Sequence, residues 1–210
     1  MTAPLLWLAD ELWLITHEDH SGAARLHAGA LGLGLAGAVV GELVLSGHVE
    51  VQDGGLYVIN QHPPGNALGY EVFEQVLAEP QHPVPTWLTY LARDAEQRVA
   101  QRMCRNGYLH QSRRRGLRRA SDSFVPSDAN TAAWPAARLQ GALSRRQLLG
   151  QSDVVLAGLV AVAGLADAVL WRAEPDHLRH LVSRLPAGLR ELLALTEAAV
   201  GDATLTHHRT

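Results

Sequence analysis

Lysine is missing altogether: all eighteen basic residues of this 210-residue chain are arginine. With so much Ala, Leu and Gly, that bias points to a GC-rich genome rather than to eighteen separate functional choices. Each arginine therefore needs positional support before it carries meaning. Cysteine occurs once, at Cys104. One thiol excludes an intramolecular disulfide framework, cannot build a cysteine zinc site and fits a reducing cytoplasm. Its neighbours Val99, Met103 and Leu109 mark it as a small core residue. The apolar start, residues 1–16, lacks a basic leader and a small-residue cleavage site and carries Asp10 and Glu11, so no secretory signal is expected. Long apolar runs are scarce too. The strongest, Val154 to Trp171, holds Asp167 and glycines at 158 and 164. It is borderline against the roughly 20 apolar residues a bilayer-spanning helix needs, and reads as a buried core helix.

What is present describes a globular chain. Apolar residues make up 47% and charged residues 19%, enough for one sizeable core and no sign of disorder. A single domain over 1–210 is expected, with its core in about 4–200 and a frayed tail at 201–210. The net charge of −3 conceals a strong asymmetry. Residues 1–92 set one arginine against ten acids, whereas residues 93–119 set nine arginines against two acids. A basic block beside an acidic half points to an anionic partner.

Periodicity supplies most of the elements. Leu5, Leu8, Leu12 and Ile15 share one helical face within 4–15. His17 to Gly22 is a polar turn. Ala23 to Leu45 is rich in small residues, with glycines at 29, 32, 34, 37 and 41. Each glycine costs a helix about 1 kcal/mol against alanine, yet each also permits close helix packing. Its GLGLAG run is no dinucleotide fingerprint, because no strand precedes it and no acid follows at the required distance. Residues 47–59 alternate Val49 and Val51 with polar residues, turn at Asp53-Gly54-Gly55 and return through Leu56 and Val58, a β-hairpin. Helix followed by hairpin is the helix-plus-wing pattern of winged-helix domains.

After a loop at 60–66, Ala67 to Ala78 reads as a helix and Pro80 to Pro85 as a break. Thr86 to Asn106 predicts one helix whose exposed face gathers Arg98, Arg102 and Arg105, ended by Gly107. Tyr108 to Val125 loses that period and reads as a basic β-hairpin or ordered loop, with Gly116 near its middle. Ala132 to Gly141 and Ser144 to Ser152 read as a helix and its connection. Two more helices follow, 154–171 and 175–199, the second broken near Pro186. The expected fold is mainly α: compact, helical and single-domain, with a small wing-like β-hairpin and a protruding basic hairpin.

Catalytic and metal signatures are weak. His17, Asp19 and His20 form one local cluster, and His177 with His180 another, but neither brings a third ligand at recognisable spacing. Ser121-Asp122-Ser123 and Ser152-Asp153 lack a nucleophile elbow or a partnered base. No catalytic residue, metal or cofactor is expected, and the chain is read as a non-enzyme. The five tryptophans read as core or interface anchors, with Trp134 a candidate for insertion at a membrane interface. Nucleic acid is disfavoured as a partner: residues 31–45 offer no basic or amide side chain to read bases, and the wing carries Glu50 and Asp53.

The order of these pieces resembles the Golgi phosphoprotein 3 family, above all its bacterial, actinobacterial-like members. The likeness rests on LLWLADELWLITHEDHSG, LAGAVVGELVLSGHVEVQDG, QRVAQRMCRNGYL, the arginine-rich hairpin and DVVLAGLVAVAGLADAVL, and covers roughly residues 4–200. The resemblance implies a compact helical domain that docks on membranes by binding phosphatidylinositol 4-phosphate. It also implies that 154–171 is the family's buried central helix and that the basic hairpin serves oligomerisation beside the membrane-facing surface. The family's lipid pocket carries over only in part. Its tryptophan and first arginine fall on His27 and Ala36, and its later pair of arginines on Arg93 and Glu96. An acid at 96 disfavours a phosphate in that spot, with Arg98 available nearby.

These readings converge on a cytoplasmic protein held peripherally at membranes. Its anion-binding residues are expected to be His27, Arg93, Arg98, Arg102 and Arg105 together with the hairpin arginines Arg113, Arg114, Arg115, Arg118 and Arg119. Anionic phospholipid headgroups are the expected partner, since each basic residue near such a surface contributes about 1 kcal/mol. Two other roles stay open for the hairpin: a homo-oligomer contact through 109–125, which would make the chain a structural or adaptor protein, or a solvated loop.

Overall fold

The computed structural model describes residues 6–114 and 121–207. Helix α1 (Leu8–Thr16) turns its apolar stripe inward. It leads through the 18–27 loop into α2 (Ala28–Leu45), in which every residue from Ala30 to Leu43 is buried. A helix apolar all round is buried all round, and α2 is the axis of the molecule, packed against α1 and five later helices. Its glycines are what admit neighbours so near. A Cβ on Gly37 would stand 2.8 Å from Thr196 Oγ1, and one on Gly32 would stand 2.5 Å from the Ala92 carbonyl oxygen. Among the described residues α2 is also the helix long and apolar enough to cross a membrane, yet 78% of that span is buried inside the protein.

The wing follows. Strands β1 (Val49–Gln52) and β2 (Gly55–Val58) pair antiparallel with Val49 opposite Val58 and Gln52 opposite Gly55. The two turn residues, Asp53 (φ 51°) and Gly54 (φ 75°), are both left-handed, as a two-residue type I′ connection requires. Gly55 thus belongs to the strand rather than to the turn. Helix α3 (Ala67–Ala78) starts at Asn66, whose side chain accepts from the Gly69 amide.

The single helix expected over 86–106 is two. Helix α4 (Val84–Leu91) ends at Ala92, and α5 (Ala95–Arg105) begins after Asp94, whose φ of −137° is not helical. The apolar period runs on unbroken through Leu91 and Ala95. Contact between Ala92 and the bare backbone of Gly32 bends the chain there instead.

Strands β3 (Leu109–Arg114) and β4 (Ser121–Pro126) form the second antiparallel pair, with Leu109 opposite Pro126 and Arg114 opposite Ser121. Helix α6 (Ala129–Ser144) comes directly after it. The 154–171 run is not one helix. Helix α7 (Gln151–Val162) buries Val154 to Val160, stops before Gly164 (φ 86°), and gives way to the short α8 (Ala166–Val169). Helix α9 (Pro175–Ser183) and helix α10 (Ala187–His207) flank Pro186. Helix α10 lies along α2 and continues through 201–207, where the sequence suggested fraying. The described residues thus form a mainly α architecture of ten helices and two small antiparallel hairpins.

Candidate anion-binding cleft and basic hairpin

The arginines expected on one exposed face of α5 are divided by the fold. Arg102 is only 3% exposed and points into the core. Its Nε donates to Asp10 Oδ1 at 2.9 Å, Nη1 to Glu42 Oε2 at 2.8 Å and Nη2 to Glu42 Oε1 at 2.8 Å. A further bond from Nη1 reaches Asn66 Oδ1 at 3.0 Å. Asp10 and Glu42 are themselves 0% and 5% exposed, so this forked guanidinium ties α1, α2 and the start of α3 to α5. Arg102 is a structural cation, unavailable to any surface ligand. Arg98 is also committed, to Glu71 at 2.8 Å, with Asp94 at 3.8 Å. Only Arg93 and Arg105 of that set are exposed.

Two carboxylates share Arg102, and the surplus negative charge falls on Asp10. Burial, joined by the charge of Glu42, outweighs the pull of Arg102 and the Trp7 amide and pushes its carboxyl from 3.8 up to about 6. A raised carboxyl means that the folded state holds its proton more tightly than the unfolded state. Stability from this group is thus greatest at low pH and is lost as pH climbs between those two values. The wild type is expected to lose on the order of 3 kcal/mol relative to Asp10→Asn as pH rises from 3.8 to about 6. Paired urea titrations of the two proteins measure this, and a difference that does not change with pH would contradict it.

The surface site lies at the other end of α5. Two glycines bring its walls together. Gly32 seats the Ala92 carbonyl against α2, and Gly22 (φ 65°) seats β4, since a Cβ there would stand 1.8 Å from the Phe124 carbonyl oxygen. Between these contacts opens a cleft of about 530 Å³ bordered by Arg93, Asp94 and Glu96, with Trp13 and Phe124 as aromatic walls. Behind it, His17 is buried and stacks on Trp13 with ring centroids 3.7 Å apart. Its Nδ1 lies 2.7 Å from the Trp13 carbonyl oxygen and its Nε2 lies 3.4 Å from Glu96 Oε1. His17 therefore faces Glu96 at the back of the cleft. Among the described residues no group of three His, Cys, Asp or Glu side chains is placed to bind a metal. His27 is the N-cap of α2, its Nδ1 accepting from the Gly29 amide at 3.2 Å. Gly32→Val is expected to destabilise the fold by about 1–3 kcal/mol. An unchanged melting temperature would show that the Ala92 contact is not tight.

The hairpin meets this cleft through Ser123 and Phe124 of β4. Arg113 and Arg114 lie at the far end of β3. Arg115, Arg118 and Arg119, on which much of the sequence reading fell, lie outside the described residues. Trp134 stands 60% exposed on α6, just after β4. The Cys104 thiol is half-buried, and burial pushes its ionisation up, away from reactivity.

A second ion cluster was not found from sequence. Arg138 of α6 bonds Glu11 at 2.8 Å and also Asp153, joining α6, α1 and α7. Asp10 and Glu42 could have been flagged, since each interrupts an otherwise apolar run.

Compared with known proteins, the chain matches a family model described as Golgi phosphoprotein 3 (GPP34) over residues 8–204. No curated protein matches it.

Proposed function

The chain belongs to the Golgi phosphoprotein 3 family, and on that premise we propose that it is a peripheral membrane protein binding anionic phospholipid headgroups. The observation that carries this reading is the continuity of two features. The basic hairpin is joined through Ser123 and Phe124 to a cleft that also presents the exposed Arg93. In this reading the hairpin arginines supply non-specific attraction to the surface, and the cleft receives a headgroup. No bond is made or broken, so the protein is not an enzyme, and it acts from the cytoplasmic side.

The structure also bears on the rival nucleic-acid role. In a winged helix, the helix before the wing needs a free face for the groove. Here that helix is α2, which is buried from Ala30 to Leu43. A second reading has its own support. Among the described residues β3 and β4 pair only with each other, leaving outer edges that another copy could extend.

Co-sedimentation with vesicles tests the proposal. Retention by phosphatidylglycerol or cardiolipin vesicles, absence from phosphatidylcholine vesicles and release in high salt are expected. Equal retention on neutral vesicles, or a shift with duplex DNA and none with vesicles, would contradict it.

A further inference from the structure

The cleft beside the hairpin is not simply basic, and its charges differ in how they are used. Arg93 is exposed and forms no ion pair among the described residues. The first turns of α2 and α5 also border the cleft, through Ala28 and through Glu96 and Gln97. Backbone N–H groups at such termini favour an anion. Against them stand two carboxylates. Asp94 is the N-cap of α5 yet makes no capping hydrogen bond, and its side chain is 56% exposed with Arg98 only at 3.8 Å. Glu96 is 45% exposed and touches only the edge of His17. A polyanion would meet both acids and be repelled; a plain cation would meet Arg93 and two helix N-termini. The arrangement suits a ligand that carries both signs a few atoms apart.

Two more observations point to a ligand and to its kind. The Trp13 indole N–H is buried without a hydrogen-bond partner, and Trp13 forms one wall of this cleft. An orphaned buried donor in the cleft wall is a group whose surroundings a bound ligand would change. Arg93 also borders a second cleft of about 590 Å³, lined mainly by apolar residues such as Leu33, Pro85, Leu195 and Ala199, with Asp202 among the rest. Ala92 and Arg93 border both clefts. A polar, doubly charged cleft thus adjoins an apolar one, which matches a headgroup continued by hydrocarbon.

We propose that the cleft between α2, α5 and β4 binds a zwitterionic ammonium–phosphate headgroup of the phosphoethanolamine type. Its phosphate lies against Arg93 and the helix N-termini, and its ammonium between Asp94 and Glu96. The proposal deepens the lipid-binding reading and rests on it. The hairpin senses surface charge, and the cleft selects headgroup chemistry.

The test is a titration of the full chain by NMR with three soluble probes: glycerophosphoethanolamine, glycerophosphoglycerol and inositol bisphosphate. The amine-bearing probe is expected to bind about tenfold tighter than its amine-free analogue, the effect of one or two half-exposed ion contacts. The Trp13 indole N–H resonance should move as it binds. Short-chain phosphatidylethanolamine is expected to bind tighter than the bare headgroup. Glu96→Arg should reverse the order in favour of inositol bisphosphate, and Arg93→Ser should weaken every phosphate probe. Equal affinity for the two glycerol esters, absence of glycerophosphoethanolamine binding, or a Glu96→Arg protein with unchanged preference overturns the assignment. These probes need no membrane. Failure here with anionic vesicle retention intact removes the cleft assignment alone, whereas headgroup binding without vesicle retention removes the hairpin role.

Discussion

Replacing Arg102 with methionine is expected to destabilise the folded chain by about 3–5 kcal/mol, the cost of stripping the counter-charge from a buried ion cluster. Asp10 and Glu42 are shut away from water and face each other across the same guanidinium. Without it, two carboxylates share one low-dielectric site with only the Trp7 and Ala9 amides and Asn66 to oppose them. One of them must take up a proton or the site must open. Arg102→Lys should recover only part of the loss, because an ammonium lacks the fork that reaches both acids at once. Adding Asp10→Asn and Glu42→Gln to Arg102→Met should restore much of the stability, since the damage comes from unpaired charge rather than from lost volume. Urea unfolding followed by tryptophan fluorescence measures all three proteins. A loss below about 1 kcal/mol for Arg102→Met would mean that water reaches the cluster.

Serine at positions 113, 114, 115, 118 and 119 is expected to abolish vesicle binding while leaving the melting temperature near that of the wild type. At about 1 kcal/mol for each arginine near an anionic surface, five replacements amount to a loss of roughly a thousandfold or more. Screening shrinks the effect as salt rises, so the gap between the two proteins should close in high salt. The fold should tolerate the change, because β3 is anchored at its other end. Leu109 is buried there, and the Ser127 amide donates to the Tyr108 carbonyl at 2.8 Å. If vesicle binding persists while an oligomer dissolves, the hairpin is a subunit contact instead.

Much of the fold was legible because local chemistry dictates it. Asp53-Gly54 can hardly do anything but turn, Pro186 cannot continue a helix, and the helical period stops at Gly107. The errors arose where distant parts of the chain decide. Arg98, Arg102 and Arg105 do recur at helical spacing, but spacing fixes a face without saying whether that face meets water. The partners of Arg102 lie 92 and 60 residues earlier, at Asp10 and Glu42. An acid within an apolar helix was the available clue. The break at 92–94 left no mark on the periodicity, since it is imposed by Gly32 from another helix. The cleft residues Arg93 and Glu96 were singled out through family likeness. Their use by Trp13, His17 and β4 needed three dimensions.

We propose that this family member meets membranes through charge on the hairpin. Co-sedimentation of the wild type and the five-serine protein with the same phosphatidylglycerol vesicles at low salt tests it most directly. The wild type should pellet with the vesicles and the variant should stay in the supernatant with its helical circular-dichroism spectrum intact. Equal pelleting of the two folded proteins would contradict the claim.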